Sequence, residues 1–270
     1  MNSGSDLNIS FSGSDQTEAW WYQSSSPTTI IADVASNVTY LANSDQNVGA
    51  ENYGNLIIAG TGTKNLASGI LDIAGDLTIT STFNTSGNTN DIDVAGNVDN
   101  DGIWSPTQLI IFSGVCSQQI TGNGTMVFEA GLRVENTSAS VSLFNQDIDV
   151  NDVLDIDPSA SFDPDDNNVN LSGSLQNDGT LISGTVNSTF TFDGSTSING
   201  TGDHSFNDIV VTNALTSSST TINVAGDFTN NGTFNRNGGT VNFNGTTSIS
   251  GTVAFENMDI NGIVSNTGTL

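Results

Sequence analysis

A five-residue phrase recurs along this chain: apolar, Asp or Asn, apolar, Ala or Ser, and Gly, followed eight residues later by a large apolar side chain. The clear copies run from Leu71 to Phe83, from Ile92 to Trp104, from Val169 to Leu181 and from Ile222 to Phe234. Self-similarity of this kind is typical of repeat architectures, in which each repeat packs only on its neighbours. We therefore expect the chain to stack repeats rather than to fold around one central core.

The glycine of the phrase serves as a register mark for weaker copies in which Ala, Asp, Asn or Glu replaces it. The marks are Ala32, Gly54, Gly75, Gly96, Ala130, Asp152, Gly173, Asn207, Gly226 and Glu256. Most intervals are near 21 residues, but those from 96 to 130 and from 173 to 207 are both 34 residues. Each long interval carries a second phrase, such as Phe112 to Gly114 followed by Ile120. We expect coils of about 21 residues with longer coils interspersed, each long interval being one enlarged coil or two small ones.

Within each phrase, apolar and polar residues alternate, which indicates a strand with one buried face. Frequent Asn-Gly, Asp-Gly and Ser-Gly pairs, only four prolines and no helical periodicity indicate an all-β chain. A coil of about 21 residues suits three short strands and three turns. The sequence therefore predicts a parallel β-solenoid, and the lack of a hexapeptide pattern favours a right-handed β-helix. Eleven to thirteen coils at about 4.8 Å each would form a rod on the order of 55 Å long.

Residues 1–270 are expected to form a single solenoid segment of a larger protein, because the pattern runs to both ends without a polar cap. Only residues 14–31 depart strongly from the pattern, and they are predicted to be an insertion or a local cap. Trp20, Trp21 and Tyr22 lie in this stretch. They are a candidate aromatic platform for sugar rings, with a hydrophobic plug as the alternative.

The chain carries 29 Asp and Glu residues against three Lys and Arg residues, for a net charge of -26. Without a basic patch, binding to nucleic acid or to anionic lipid headgroups is disfavoured. The apolar runs are too short to span a bilayer, so no direct membrane insertion is expected. The partners that suit this charge are cations, neutral glycans and other proteins.

Most of the acidic and amide side chains are predicted to be architectural. The second position of the phrase, three residues before the register mark, is always Asp or Asn. This predicts a polar column on an outward face. The examples are Asp72, Asp93, Asp149, Asn170 and Asn223. Asp101, Asp178 and Asn231 each precede a glycine, so they are predicted to form ladders of turns.

The densest acidic stretch contains the candidate calcium ligands Asp163, Asp165 and Asp166. Ca²⁺ takes six to eight oxygen ligands, which clustered carboxylates on a loop can supply. The spacing matches no EF-hand, and a solvated acidic turn is the alternative. No cofactor is expected to be required, and Ca²⁺ is the one candidate.

Catalysis is not expected. Solenoid lyases and hydrolases need cationic or acidic groups gathered at one place, but Lys64, Arg133, Arg236 and His204 fall in different coils. We expect His204 to be a surface residue. Cys116, the only cysteine, is predicted to be a small buried hydrophobic residue.

Two stretches, from Gly226 to Phe234 and from Gly238 to Gly245, resemble repeats of large surface proteins of Bacteroidota, and the stretch from Tyr53 to Lys64 is similar. The resemblance covers most of residues 50–270. Proteins of that family are typically exported, often by type IX secretion, and serve as adhesins or gliding-motility filaments. The resemblance implies an extracellular, cell-surface location, a structural or adhesive role, and association with other copies or segments of the same surface protein.

Two other functions stay open at this point. One is a polysaccharide-binding or polysaccharide-degrading β-helix. The other is an ice-binding solenoid, suggested by the Thr78 and Thr80 pair and by the Thr189 and Thr191 pair. Ice binding would require a flat array of threonines across successive coils.

Overall fold

The computed structural model describes residues 6–9, 35–183, 187–218, 220–235 and 237–270. Its 35 strands form three sheets in which every pairing is parallel. From the second strand to the thirty-third, consecutive strands belong in turn to three sheets, here called sheets 1, 2 and 3, and each return to sheet 1 is one coil further along. The prediction of an all-β parallel solenoid is confirmed.

Sheet 1 contains thirteen strands: β1 (Asp6–Ile9), β2 (Asn37–Tyr40), β5 (Asn55–Ile58), β8 (Leu77–Ile79), β11 (Val98–Asn100), β14 (Gln118–Gly122), β17 (Ser140–Phe144), β20 (Ser161–Asp163), β23 (Thr180–Leu181), β26 (Asp203–Phe206), β29 (Thr221–Val224), β32 (Thr240–Phe243) and β34 (Asn257–Ile260). At about 4.8 Å between neighbouring strands, this sheet extends over roughly 60 Å. The solenoid is therefore a short rod.

Sheet 2 contains twelve strands: β3 (Gln46–Val48), β6 (Thr63–Leu66), β9 (Thr82–Asn84), β12 (Ile103–Trp104), β15 (Thr125–Phe128), β18 (Ile148–Val150), β21 (Val169–Leu171), β24 (Thr189–Phe192), β27 (Asp208–Val211), β30 (Phe228–Asn230), β33 (Thr246–Gly251) and β35 (Ile263–Asn266). Sheet 3 contains ten strands: β4 (Asn52–Tyr53), β7 (Leu71–Ile73), β10 (Ile92–Val94), β13 (Ile110–Phe112), β16 (Leu132–Val134), β19 (Leu154–Ile156), β22 (Leu175–Asn177), β25 (Ser195–Asn199), β28 (Ala214–Ser217) and β31 (Thr233–Asn235).

The core is formed by the alternate side chains that point inward from all three sheets. Leu56, Leu77 and Val98 stack in sheet 1, and all three are fully buried. In sheet 2 the rings of Phe83 and Trp104 stack with centroids 6.4 Å apart. Trp104, the large apolar residue that ends its copy of the phrase, is fully buried.

The longer coils expected from the 34-residue intervals are absent from β2 onward. Paired residues there lie 17 to 23 residues apart, as in Thr240 with Asn257 and Gln118 with Val141. The phrase changes sheet instead. The marks Gly75, Ala130 and Asn207 precede strands of sheet 1, sheet 3 and sheet 2, respectively. A 34-residue interval is therefore one coil and two thirds of the next, which moves the phrase to another side of the rod.

The same rotation corrects the expectation of one outward polar column. Asp72 and Asp93 are neighbours in sheet 3, Asp149 and Asn170 are neighbours in sheet 2, and Asn223 lies in sheet 1. The phrase thus contributes to a separate polar column on each sheet.

The first pairing spans more residues than the others, because Asp6 of β1 pairs with Asn37 of β2, 31 residues later. The predicted insertion or cap at residues 14–31 lies within this interval and outside the described residues. No helix in the described part of the chain has the length and apolar character that crossing a bilayer requires.

Candidate functional site

The predicted calcium ligands lie at the end of β20 and in the turn that follows it. The Asp163 carboxylate accepts the backbone N–H of Asp165 at 2.9 Å, and Asp165 has a left-handed φ of 51°. Asn167 donates from its side-chain amide to the Pro164 carbonyl at 3.2 Å. These contacts make a closed Asx turn. Across the described residues, no group of three or more His, Cys, Asp or Glu side chains is placed to hold a metal ion, so calcium binding stays a prediction.

The predicted aromatic platform of Trp20, Trp21 and Tyr22 lies outside the described residues. The same holds for Arg236. The other groups considered for catalysis are not brought together: Lys64 lies in β6 of sheet 2, Arg133 in β16 of sheet 3 and His204 in β26 of sheet 1, several coils from one another.

Carboxylates at the corners of the solenoid connect successive coils. Each accepts the backbone N–H of a residue in the next coil, an arrangement that fixes register as a backbone bond would. At the corner before sheet 1, Asp76 accepts from Asn97 at 2.7 Å. At the corner before sheet 2, Asp147 accepts from Asn168 at 2.7 Å, and Asp208 accepts from Asp227 at 2.6 Å. These three acidic side chains are architectural, which extends the predicted role of the acidic residues to positions that the repeat phrase does not contain.

Amide side chains form ladders on the outward faces. In sheet 1, Asn55 donates to Asn37 at 2.9 Å, and Asn37 donates to Asp6 at 2.7 Å. In sheet 2, Asn84 donates to Asn65 at 2.9 Å. Each step pairs one amide hydrogen with one oxygen of the preceding coil, which leaves the ladder saturated along the rod axis.

A buried asparagine organises the predicted Asp-Gly and Asn-Gly turns. Asn100 is fully buried; its side-chain oxygen accepts the Gly102 N–H at 3.2 Å, and its amide donates to the Thr125 carbonyl of the next coil at 2.7 Å. Asn177 makes the equivalent bonds to Gly179 and to Asp203. Asn230 does so with Gly232 and Thr252. The residue predicted from the sequence was the next one in each turn, and this asparagine was missed, although Asn-x-Gly marks it in all three copies.

Arg133 lies among three carboxylates on the outward face of sheet 3. Its guanidinium makes a two-pronged contact with Asp157 at 3.1 Å, and it lies 3.4 Å from Asp155 and 3.3 Å from Glu135. The hydrogen bond to Asp157 raises the pKa of Arg133. Partial burial raises the pKa of Asp155, and the positive charge of Arg133 opposes that shift. The cluster neutralises a local concentration of negative charge.

Lys64 is the one described lysine, and its side chain is fully buried. Its ammonium donates to the carbonyls of Thr61 at 2.7 Å, Ala42 at 3.1 Å and Ser44 at 3.4 Å. An ammonium has three hydrogens to donate, so this cage satisfies it completely. Burial lowers its pKa. The contacts assign Lys64 to closing a turn in the interior.

Two expectations about single residues were wrong. Cys116 is exposed, because it lies in the turn between β13 and β14 rather than on an inward-facing strand position. His204 is buried at 1% exposure, because it takes the inward position between Leu181 and Ile222 in sheet 1. Side chains alternate between outward and inward positions along β26, and His204 points inward because it is two residues before the buried Phe206.

The threonine pairs do not stack on other threonines. Thr78 lies between Ile57 and Asp99 in sheet 1. Thr191 lies between Asn170 and Val210 in sheet 2.

Comparison with protein-family models, with curated proteins and with solved structures gives no match to this chain.

Proposed function

We propose that this chain is a structural or adhesive rod segment of an extracellular bacterial surface protein and that it performs no catalysis. The observation that carries the proposal is the use of polar side chains as connections between coils. Asp76, Asp147 and Asp208 each hold a backbone N–H of the next coil, and Asn100 bridges two coils from the inside. In a binding cleft such polar side chains would be exposed to a ligand. Here their hydrogen bonds connect neighbouring coils of a continuous stack.

The sequence resemblance to Bacteroidota surface repeats supports the cell-surface location. A rod of this kind separates what is attached at its two ends, and a surface protein uses such a spacer to hold a binding region away from the cell. Its partners are then other copies or segments of the same surface protein, and glycans or an abiotic surface. The charge of -26 makes such rods repel one another at low ionic strength, so association between copies requires salt or cations that screen this repulsion.

A force experiment tests the mechanical part of the proposal. The chain is held between two handles in an atomic force microscope and extended. Because each coil contacts only its neighbours, we expect unfolding in steps of whole coils. A coil of about 20 residues should lengthen the tether by roughly 7 nm. Rupture of the whole chain in one step at low force would contradict a mechanical role.

The location and the adhesive role need a separate measurement. Antibodies raised against the chain should label intact cells of the source bacterium, and beads coated with the protein should be retained on glycan or glass surfaces under flow. Labelling only after lysis would overturn the location. Turnover of an acidic polysaccharide in the presence of Ca²⁺ would overturn the non-catalytic role in favour of a degrading β-helix.

A further inference from the structure

His204 is an ionisable side chain in an apolar part of the core. Its imidazole is 1% exposed and lies between Leu181 and Ile222 in sheet 1. The chain contains one histidine, so this is the only imidazole that the protein can titrate.

The hydrogen bonds around His204 select a neutral ring with a defined tautomer. The Asn177 side-chain oxygen accepts the Gly179 N–H at 3.1 Å, which orients its amide nitrogen toward the ring. That nitrogen donates to the Asp203 carbonyl at 2.8 Å and lies 3.3 Å from His204 Nδ1. This contact favours the tautomer in which Nδ1 accepts and the ring proton is on Nε2. Nε2 makes no hydrogen bond to the protein, so its N–H is buried without a partner.

A second proton on the ring would be disfavoured mainly by burial, although the Gly200 backbone and two nearby carboxylates favour it in part. On Nδ1 it would face the hydrogens of the Asn177 amide, and the ring would carry a charge between two aliphatic side chains. The acidic groups near the ring are Asp203, on the same strand, and Asp178, which follows β22; neither β23 nor β29 carries a charged residue. Burial lowers the pKa of His204, and the Gly200 carbonyl and the carboxylates of Asp203 and Asp178 oppose this only in part.

The molecule contains its own control for this position. In three Asn-x-Gly turns the asparagine bridges to the next coil. Asn100 bonds to Thr125, which precedes Met126, and Asn230 bonds to Thr252, which precedes Val253. His204 occupies the same place after Asp203 in the turn of Asn177. Met126 and Val253 are both buried. The turn therefore forms with an apolar residue at this place, and an imidazole is not required for it.

We propose that His204 is a pH-sensitive switch in the rod, and that its protonation opens the solenoid locally around β25, β26 and β29 at mildly acidic pH. The direction of the pH effect follows from the difference in proton affinity between the folded and the unfolded segment. The unfolded segment takes up a proton near pH 6.5, whereas the folded segment does so only at lower pH. Local stability is complete above about pH 6.5 and is lost as the pH falls below it.

The test compares the natural chain with His204→Met, which copies Met126. Hydrogen exchange is followed by mass spectrometry at several pH values between 7.5 and 5, corrected for intrinsic exchange rates. In the natural chain, the opening constant of peptides spanning 195–224 should rise by up to tenfold per pH unit below about 6.5. It should stay constant in His204→Met. Peptides spanning 98–128 serve as the internal reference and should not change in either protein.

A second measurement keeps the proposal falsifiable if His204→Met fails to fold. The single imidazole gives one set of NMR resonances in the natural chain. We expect an Nε2–H tautomer, and a titration midpoint in the folded protein below that of the same protein in urea. A folded midpoint at or above the value in urea overturns the proposal, as does equal pH dependence of the two proteins in hydrogen exchange.

Discussion

The middle of the rod and the coil formed by β34 and β35 have the same strand pattern but different burial. Ile79 faces inward from sheet 1 between Ile58 and Asn100 and is fully buried. Ile260 faces inward next to Phe243 and is 50% exposed, because no strand of the described residues pairs with the other edge of β34. An inward position in a solenoid is thus buried by the next coil as much as by its own. The stability of each coil therefore depends on its contacts with the neighbouring coils.

The strongest way to break this comparison is to remove the same side chain in both places. Ile79→Ala should cost about 2–5 kcal/mol of unfolding free energy, because it leaves a cavity covered on both sides. Ile260→Ala should cost only about 1 kcal/mol, because half of that side chain is already in water and no enclosed cavity is left. Urea unfolding monitored by circular dichroism measures both. Equal costs for the two variants would mean that coils are stable individually and would contradict the pairwise view.

The Asn-x-Gly turns provide a second, smaller contrast. Asn100 is buried and bridges to Thr125, whereas Asn266 is exposed and bonds only within its own turn, to Gly268. Asn100→Ala should cost about 1–3 kcal/mol, because it leaves the Gly102 N–H and the Thr125 carbonyl without partners. Asn266→Ala should cost a few tenths of a kcal/mol, since water replaces its bonds. Finding the larger loss at Asn266 would show that the turn, and not the bridge, provides the stability.

The fold was predictable because its signal is repeated. Alternating side chains and turn glycines recur in every coil, so a weak local preference becomes strong by repetition. The rotation of the phrase was not predictable from spacing, because 34 residues fit both one enlarged coil and one coil plus two thirds. Only the pairing of Val98 with Ile120, 22 residues later, distinguishes them.

Single residues were harder to place than the repeats. Residue type suggested that Cys116 is buried and His204 exposed, and both are reversed. In a stacked coil, the position along the alternation decides burial, whatever the side chain. The same rule places Lys64 in the core opposite Phe83, which a scale of residue hydrophobicity could not have indicated.

A third experiment measures how much an ion-pair cluster in the middle of the rod contributes to the free energy of unfolding, compared with apolar burial. Arg133→Met removes the cation from beside Glu135, Asp155 and Asp157. Because these groups are partly exposed, the loss should be at most about 1 kcal/mol at physiological salt, and larger at low salt. Unfolding at two salt concentrations measures it. Adding Asp157→Asn to Arg133→Met should recover part of the loss, and failure to do so would show that Arg133 acts through packing alone.

The smallest expected effect contrasts two aspartates at outward positions. Asp93 is partly buried, accepts a hydrogen bond from the Ser113 hydroxyl, and neighbours Asp72, whereas Asp259 is exposed on β34. Burial raises the pKa of Asp93, and the Asp72 charge adds to the shift, so its ionised form costs stability at neutral pH. That cost vanishes as the pH falls below about 3.8, where the carboxyl is protonated in both states.

Asp93→Asn should therefore stabilise the rod slightly at pH 7 and leave it unchanged near pH 3. Asp259→Asn is the matched control, because it removes the same charge from the coil of β34 and β35. Urea midpoints at the two pH values compare the variants. A gain at pH 7 that is equal for both would mean that net charge is the cause. A gain confined to Asp93→Asn would show that the neighbouring coils set the dielectric environment of a side chain just as they set its burial.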